Sequence, residues 1–344
     1  MEKCFAGTQK YSMAPEITVN VSAADHIPLC YELDKRFYIL INSTSTACVL
    51  LYVYLGCLSV VIVCGNLFII ISIIYFKQLH TPTNSLILSL AVADLLVGLL
   101  VFPFNTRFTV SFCLDRGHLY CKLRNAFDVT LSTTSILNLC CISIDRYYAV
   151  CQPLTYRAKM SFHVVGTMIL VTWGISILVA IGFLVSEFNY EKCEKSCLID
   201  ILLANILGPI LGFYVPVIIM LCIYLKIFLV AQRQARSIQN KSCQMRTFGS
   251  TVSKLERKAT KTLATVLGVF LMCWTPFFLC FSFQLFHNVS VPPAVFETLN
   301  WFTLSNSMLN PFIYAFFYSW FRAAFRIIVS GKIFQGDFAN AKLT

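Results

Sequence analysis

The chain has 344 residues, of which 58% are hydrophobic and only 12% charged, with mean hydropathy +0.73 and a formal net charge of +11. A soluble globular chain carries about 25% charged residues, so the composition excludes an ordinary soluble domain and points to a polytopic membrane protein. The positive balance does not indicate nucleic-acid binding, because alternate loops hold most of the Lys and Arg, the pattern that positive-inside bias gives.

Residues 1–46 are polar and mixed, with no compact apolar core behind a basic start, so no cleavable signal peptide is evident. The segment is expected outside the cell. Its sequons Asn20-Val-Ser and Asn42-Ser-Thr are candidate glycosylation sites, as is Asn288-Val-Ser further on.

Seven runs are then long enough to span a bilayer, which takes about 20 apolar residues: Ala47–Phe76, Ser85–Phe104, Cys121–Val150, Val164–Ser186, Ile199–Val230, Lys261–Phe286 and Pro293–Tyr318. The fold expected is an all-α seven-helix membrane bundle over 47–318. A short amphipathic eighth helix, WFRAAFRII, and a cytoplasmic tail complete it over 319–344. The loop between spans five and six is rich in Lys and Arg, which sets it in the cytosol and suits an intracellular protein partner.

Polar groups inside spans are functional hypotheses by default. Span one has Asn66, span two Asp94, span three Asp128 and Ser135, span seven Asn306, Ser307 and Asn310. Asp94, Ser135, Asn306 and Asn310 would ring a hydrated Na⁺, since oxygen ligands and one negative charge suit that ion. The other reading is a plain interhelical hydrogen-bond network. No further cofactor is expected.

Asp128 costs ~2.5–3.5 kcal/mol at membrane depth even on the lenient scale. It lies about five helical turns, or ~27 Å, before Arg146, on the same helix face. If Arg146 faces the interior at the cytosolic end, Asp128 faces a pocket open to the outside. Lys122 and Arg124 lie at the outer mouth, so the expected counter-ion is a ligand ammonium; an aspartate satisfied by hydroxyls alone is the alternative. Trp274, Phe277 and Phe278 would face the ligand's carbon chain, and Trp301, one turn above Leu304, would line the roof. Above Pro216 span five offers Gly208, Pro209 and Gly212, hence no hydroxyls for a catechol. Glu297 shares a face with Asn300 and Leu304. It either forms a second anchor for an elongated dication or is a solvated residue favoured by the helix dipole.

At the inner end, Arg146 can pair with the adjacent Asp145 or clamp span six through Glu256. Pro276 and Pro311 each remove a helix hydrogen bond and permit a kink. Tyr224 and Tyr314 are placed to bond near Arg146 once a cleft opens. Of the 16 cysteines, those inside spans read as small packing residues. Cys4, Cys30, Cys113, Cys121, Cys193 and Cys197 face an oxidising compartment, and their pairing is not fixed by the sequence.

The motifs Gly65–Asn66, LAVAD (Leu90–Asp94), DRYYAV (from Asp145, Arg146 and Tyr147), Trp173, Pro216, Tyr224, FLMCWTPFF (Phe270–Phe278) and NPFIY (Asn310–Tyr314) occur in order over about 47–330. Together they resemble the rhodopsin-like G-protein-coupled receptors, which implies a G-protein partner for Arg146. Asp128 stands at the position that holds the amine in aminergic receptors. PLCYELDKR (Pro28–Arg36), CEKSC (Cys193–Cys197), KIFLVAQRQARSI and NSMLNPFIYAFFYSWFRAAF resemble the trace amine-associated receptors. That resemblance implies disulfides Cys121–Cys197 and Cys30–Cys193, a small cationic amine ligand, a stimulatory G protein, chemosensory use and a plasma-membrane location. Departures are Leu304, where the group usually has Tyr, and FCLDRGHLYC without the usual first-loop Trp. In addition, Asp200 lies too far above Pro216 to replace the span-five acid of diamine-sensing members. Competing readings are a serotonin-like aminergic receptor, a non-amine receptor of the same class, and a transporter or channel. An enzyme is not expected, since no HExxH, GxSxG or P-loop pattern appears.

Overall fold

In the computed structural model of the chain, residues 45–103, 118–190, 206–241, 249–287, 291–331, 340 and 343 are described. Among these the regular structure is entirely helical: α1 Ser45–Tyr75, α2 Pro82–Leu96, α3 His118–Cys151, α4 Pro153–Lys159, α5 Phe162–Tyr190, α6 Val215–Lys241, α7 Gly249–His287, α8 Pro293–Leu304, α9 Asn306–Phe317 and α10 Ser319–Val329. Six helical stretches are long and apolar enough to cross a membrane, and Thr298–Phe317 with Ser319–Val329 form a bent pair at 100° that supplies a seventh.

Each expected span has a helix among the described residues, with local differences; Phe104 and the first residues of the fifth span, 199–205, lie outside them. The seventh is interrupted at Ser305 between α8 and α9, which the even apolar pattern does not reveal. The loop after α3 holds the short α4, started by Pro153 in the first turn, where its missing N–H costs nothing. α2 begins on Thr81, whose hydroxyl accepts the Asn84 backbone N–H at 3.2 Å, followed by Pro82. π-helical turns at Val97–Val101 and Ile210–Tyr214 precede Pro103 and Pro216 respectively, and each shifts the register of side chains next to it.

The bundle is apolar outside, and its interior sets buried polar groups within a large apolar core. Leu170, Leu178, Leu225 and Phe286 are exposed, whereas Asn66, Asp94, Ser135, Asn138, Asn306 and Asn310 are buried. In lipid, buried polar groups find partners across helices and exposed leucines cost nothing. Among the described residues α3 is the hub, packing on α2, α5 and α6, while the outer part of α7 leans mainly on α8 and α9 and touches α3 and α6 sparingly. Two glycines permit close approach. A Cβ on Gly65 would lie 2.9 Å from Pro311 Cβ, and one on Gly98 2.8 Å from Ile62 Cγ2.

Candidate functional site

The outer part of the site is built on α3. Asp128 is half-buried, and Ser132, one turn further on, donates its hydroxyl to Asp128 Oδ1 at 3.2 Å. Arg124, one turn before, acts on the carboxylate electrostatically. The sequence placed Arg124 at the mouth; the fold makes it a near neighbour of the acid on the same helix face. Leu131, just inward of Asp128, packs in one apolar cluster with Leu304, Ile62, Val97, Val101 and Phe102. Trp301 joins that cluster, edge-on to Phe102 with ring centroids 5.2 Å apart. Leu304 is only 2% exposed. It sits in the apolar cluster that joins α8 to α1 and α3.

Across the bundle, aromatic rings form a continuous stack. Phe213 lies parallel to Phe278 at 4.1 Å, Phe278 reaches Trp274 at 6.0 Å, and Trp274 reaches Phe270 at 6.2 Å. Phe277 turns instead to Phe296 of α8 at 5.3 Å. Trp274 is buried and its indole N–H meets no acceptor among the described residues. Asn300 is half-buried on α8, its carbonyl accepting from Thr303. Glu297 lies in α8, but its side chain is outside the described residues.

At mid-depth Asp94 is fully buried. Ser307 donates to its Oδ1 at 2.7 Å, Asn310 to its Oδ2 at 2.7 Å, and Ser135 approaches Oδ1 at 3.5 Å. Asn66 donates to the carbonyls of Ile62 at 2.9 Å and Ser307 at 3.1 Å. Of the four residues expected to ring a cation, Ser135 and Asn310 meet Asp94 here. Ser307 stands beside them, while the Asn306 amide nitrogen is buried without a partner.

The inner end is organised by Asp145, also fully buried. Arg146 pairs with it, donating from Nε at 2.8 Å and also from Nη2. Thr83 of α2 donates to Oδ2 at 3.0 Å, and Tyr156 of α4 donates to Oδ1 at 2.9 Å. Burial raises the Tyr156 phenol above its ordinary value, while its hydrogen bond with Thr83 pulls the other way. Tyr147 lies under the Lys226 ammonium of α6 at 5.9 Å. Tyr224 sits against Ser143 of α3. Tyr314 is buried, with Tyr318 edge-on at 5.6 Å. Of the two partners foreseen for Arg146, the adjacent Asp145 is the one observed, and the Glu256 side chain lies outside the described residues.

Pro276 and Pro311 lie within α7 and α9. Asn20, Asn42, Cys30, Cys193, Cys197 and the Cys121 side chain fall outside the described residues. Sequence reasoning passed over Ser132, Phe213, Phe296, Thr83 and Tyr156. Ser132 had a usable signal, four residues from an acid on one helix face. The others join the site only by packing between distant segments.

Asp128 on α3, the aromatic stack, the acid–amide centre around Asp94 and the Arg146–Asp145 pair lie in one bundle of helices long and apolar enough to cross a membrane, and the comparisons give its class. The model of the 7 transmembrane receptor (rhodopsin family) matches residues 65–314. Trace amine-associated receptor 1 of Macaca mulatta is 40% identical over 92% of this chain and 98% of its own length. Trace amine-associated receptor 9 of Homo sapiens is 39% identical over 94% and 97%, and trace amine-associated receptor 2 of Mus musculus is 41% identical over 85% and 88%. The chain belongs to the rhodopsin family of seven-transmembrane receptors and, within it, to the trace amine-associated receptors. It is therefore a multi-pass receptor of the plasma membrane and not an enzyme.

Proposed function

We propose that the chain senses an extracellular protonated amine, with its N-terminus outside and a stimulatory G protein inside. The observation that carries this is the half-buried Asp128 carboxylate, held by Ser132 and set on the α3 face that packs against α8. A ligand ammonium would pair with Asp128 and its carbon chain would lie on Phe277, Phe278 and Trp274, where cation–π and apolar contact add ~0.5–2 kcal/mol. Arg124 competes for the same carboxylate, so the ligand's charge must displace that influence as well as water.

The ligand favours signalling only by binding the open state more tightly. α7 is the element we assign the movement to, because Pro276 lies inside it and weakens it. Outward movement of its inner half would release Arg146 from Asp145 toward the G protein. Cys121–Cys197 and Cys30–Cys193 disulfides would fix the outer loops, and Asn20 and Asn42 would carry glycans. The Asp94 carboxylate with the Ser135 and Ser307 hydroxyls is an oxygen-rich, singly charged set that fits Na⁺. An ion there would favour the closed bundle.

Glu297 would serve as the second anchor for a diamine or polyamine. The test is a cAMP assay against monoamines, diamines and polyamines with wild type, Asp128→Ala and Glu297→Gln. An amine response lost in Asp128→Ala supports the proposal, while one that survives with unchanged potency removes it. A diamine response spared by Glu297→Gln removes the two-anchor element alone.

A further inference from the structure

Among the described residues α6 and α7 touch sparingly, yet a polar tie joins them near the ligand region. The Tyr214 hydroxyl donates to the Phe278 carbonyl at 3.2 Å and shares a hydrogen bond with Ser282 Oγ at 2.7 Å. Tyr214 ends the π-helical turn Ile210–Tyr214 and is half-buried. That turn rotates the residues ahead of Pro216, so that successive rings, Phe213 and Tyr214, both meet α7. Phe213 lies flat on Phe278, and Tyr214 meets the same ring edge-on at 6.2 Å while bonding to its backbone. The hydroxyl thus grips α7 just beyond Pro276, at the residue whose ring leads on to Trp274.

We propose that Tyr214, with Ser282, is a positioning residue that latches the outer half of α7 to α6 and holds the Phe213–Phe278–Trp274 stack in the closed state of the receptor. We take the arrangement described as the closed one, because Arg146 is engaged by Asp145 within α3. A helix weakened at Pro276 can tilt and rotate its two halves separately. A tether on the outer half restricts that freedom. In lipid its polar groups have no water to turn to, so the latch persists until α7 is displaced. The function assigned to the latch rests on the proposed role of α7 motion in signalling. The tie itself does not.

The test is a double-mutant cycle on the full receptor. Tyr214→Phe keeps the ring stack and removes the hydroxyl, Ser282→Ala removes its partner, and Ser282→Thr keeps a hydroxyl. Basal nucleotide exchange is measured in membranes supplied with G protein, at matched surface expression, together with the melting temperature of purified receptor. Interhelical hydrogen bonds in membranes are worth enough to shift a two-state equilibrium about threefold. Each single variant should therefore raise basal exchange by about that factor, the double variant should add nothing further, and Ser282→Thr should restore the wild-type level. Unchanged exchange in Tyr214→Phe, or effects of the two singles that multiply in the double, overturns the latch. Should wild type show no exchange with any G protein, the signalling reading fails. The latch would then stand on non-additive melting temperatures across the same cycle and fall on additive ones.

Discussion

Asn310 donates its side-chain amide to Asp94 across 216 positions of sequence, at 2.7 Å, with both groups buried. This bond, with that of Ser307, ties α9 to α2 at the centre of the bundle. Removing one partner leaves a buried carboxylate oxygen under-satisfied, which costs ~1–3 kcal/mol. Asn310→Ala is expected to lower the melting temperature of detergent-solubilised receptor by several degrees. Ser135→Ala, whose contact is long at 3.5 Å, should lower it by much less.

Ser132 and Arg124 act on Asp128 in different ways, so their variants should separate in amine potency. Ser132→Ala removes a hydrogen bond that orients the carboxylate. At ~0.5–1.5 kcal/mol the half-maximal amine concentration should rise by ~2–10-fold. Arg124→Gln removes a competing cation, and the half-maximal concentration should fall by ~3-fold or more. Dose–response curves on both variants check the pair, and a fall in potency for Arg124→Gln counts against competition.

Gly65 and Gly174 give opposite outcomes for the same substitution. A Cβ on Gly65 meets Pro311 at 2.9 Å, so Gly65→Ala must displace α9 and is expected to destabilise by ~1–3 kcal/mol. At Gly174 on α5 nothing lies within 4 Å, and alanine favours the helix by ~0.5–1 kcal/mol. Melting temperatures should fall for the first variant and hold or rise for the second.

Tyr156 donates to Asp145 only while its phenol is protonated. Its folded value is raised by burial. The contribution is therefore fully present below the unfolded value and is lost as pH rises through the raised folded one. The difference in melting temperature between wild type and Tyr156→Phe should stay flat from about pH 6 to 9 and shrink only above about pH 10. A difference that changes near neutrality would show that another group controls this contact. The same variant should raise basal signalling, since it loosens the residue that holds Arg146.

The spans and the polar residues inside them were legible because each is marked locally. A run of apolar side chains has no other use at that length, and a lone acid inside one stands out against its neighbours. What was not legible depends on partners brought from elsewhere. Thr83 and Tyr156 carry no local sign that they will meet Asp145, because helix spacing reports which face a residue shares and not what lies opposite. The π-helical turn before Pro216 is silent in the periodicity for a related reason. One extra residue in a turn rotates the side chains above it, and the reading of span five as lacking hydroxyls followed from counting past it. Tyr214 supplies one, directed at α7. The break at Ser305 is similar, since α8 and α9 are equally apolar on either side.

The turn from α9 into α10 is secured from within. Arg322 donates through Nη1 to the carbonyls of Ala315 at 3.0 Å and Phe316 at 2.9 Å, and α10 leaves Phe325 and Val329 exposed on its apolar side. No cysteine occurs from Trp320 to Thr344, so no removable fatty chain on this stretch can regulate its grip on the bilayer. The bend itself is held by the Arg322 guanidinium, a clamp that needs no added lipid. Cells that tune this receptor must do so by some route other than cycles of acylation at that helix.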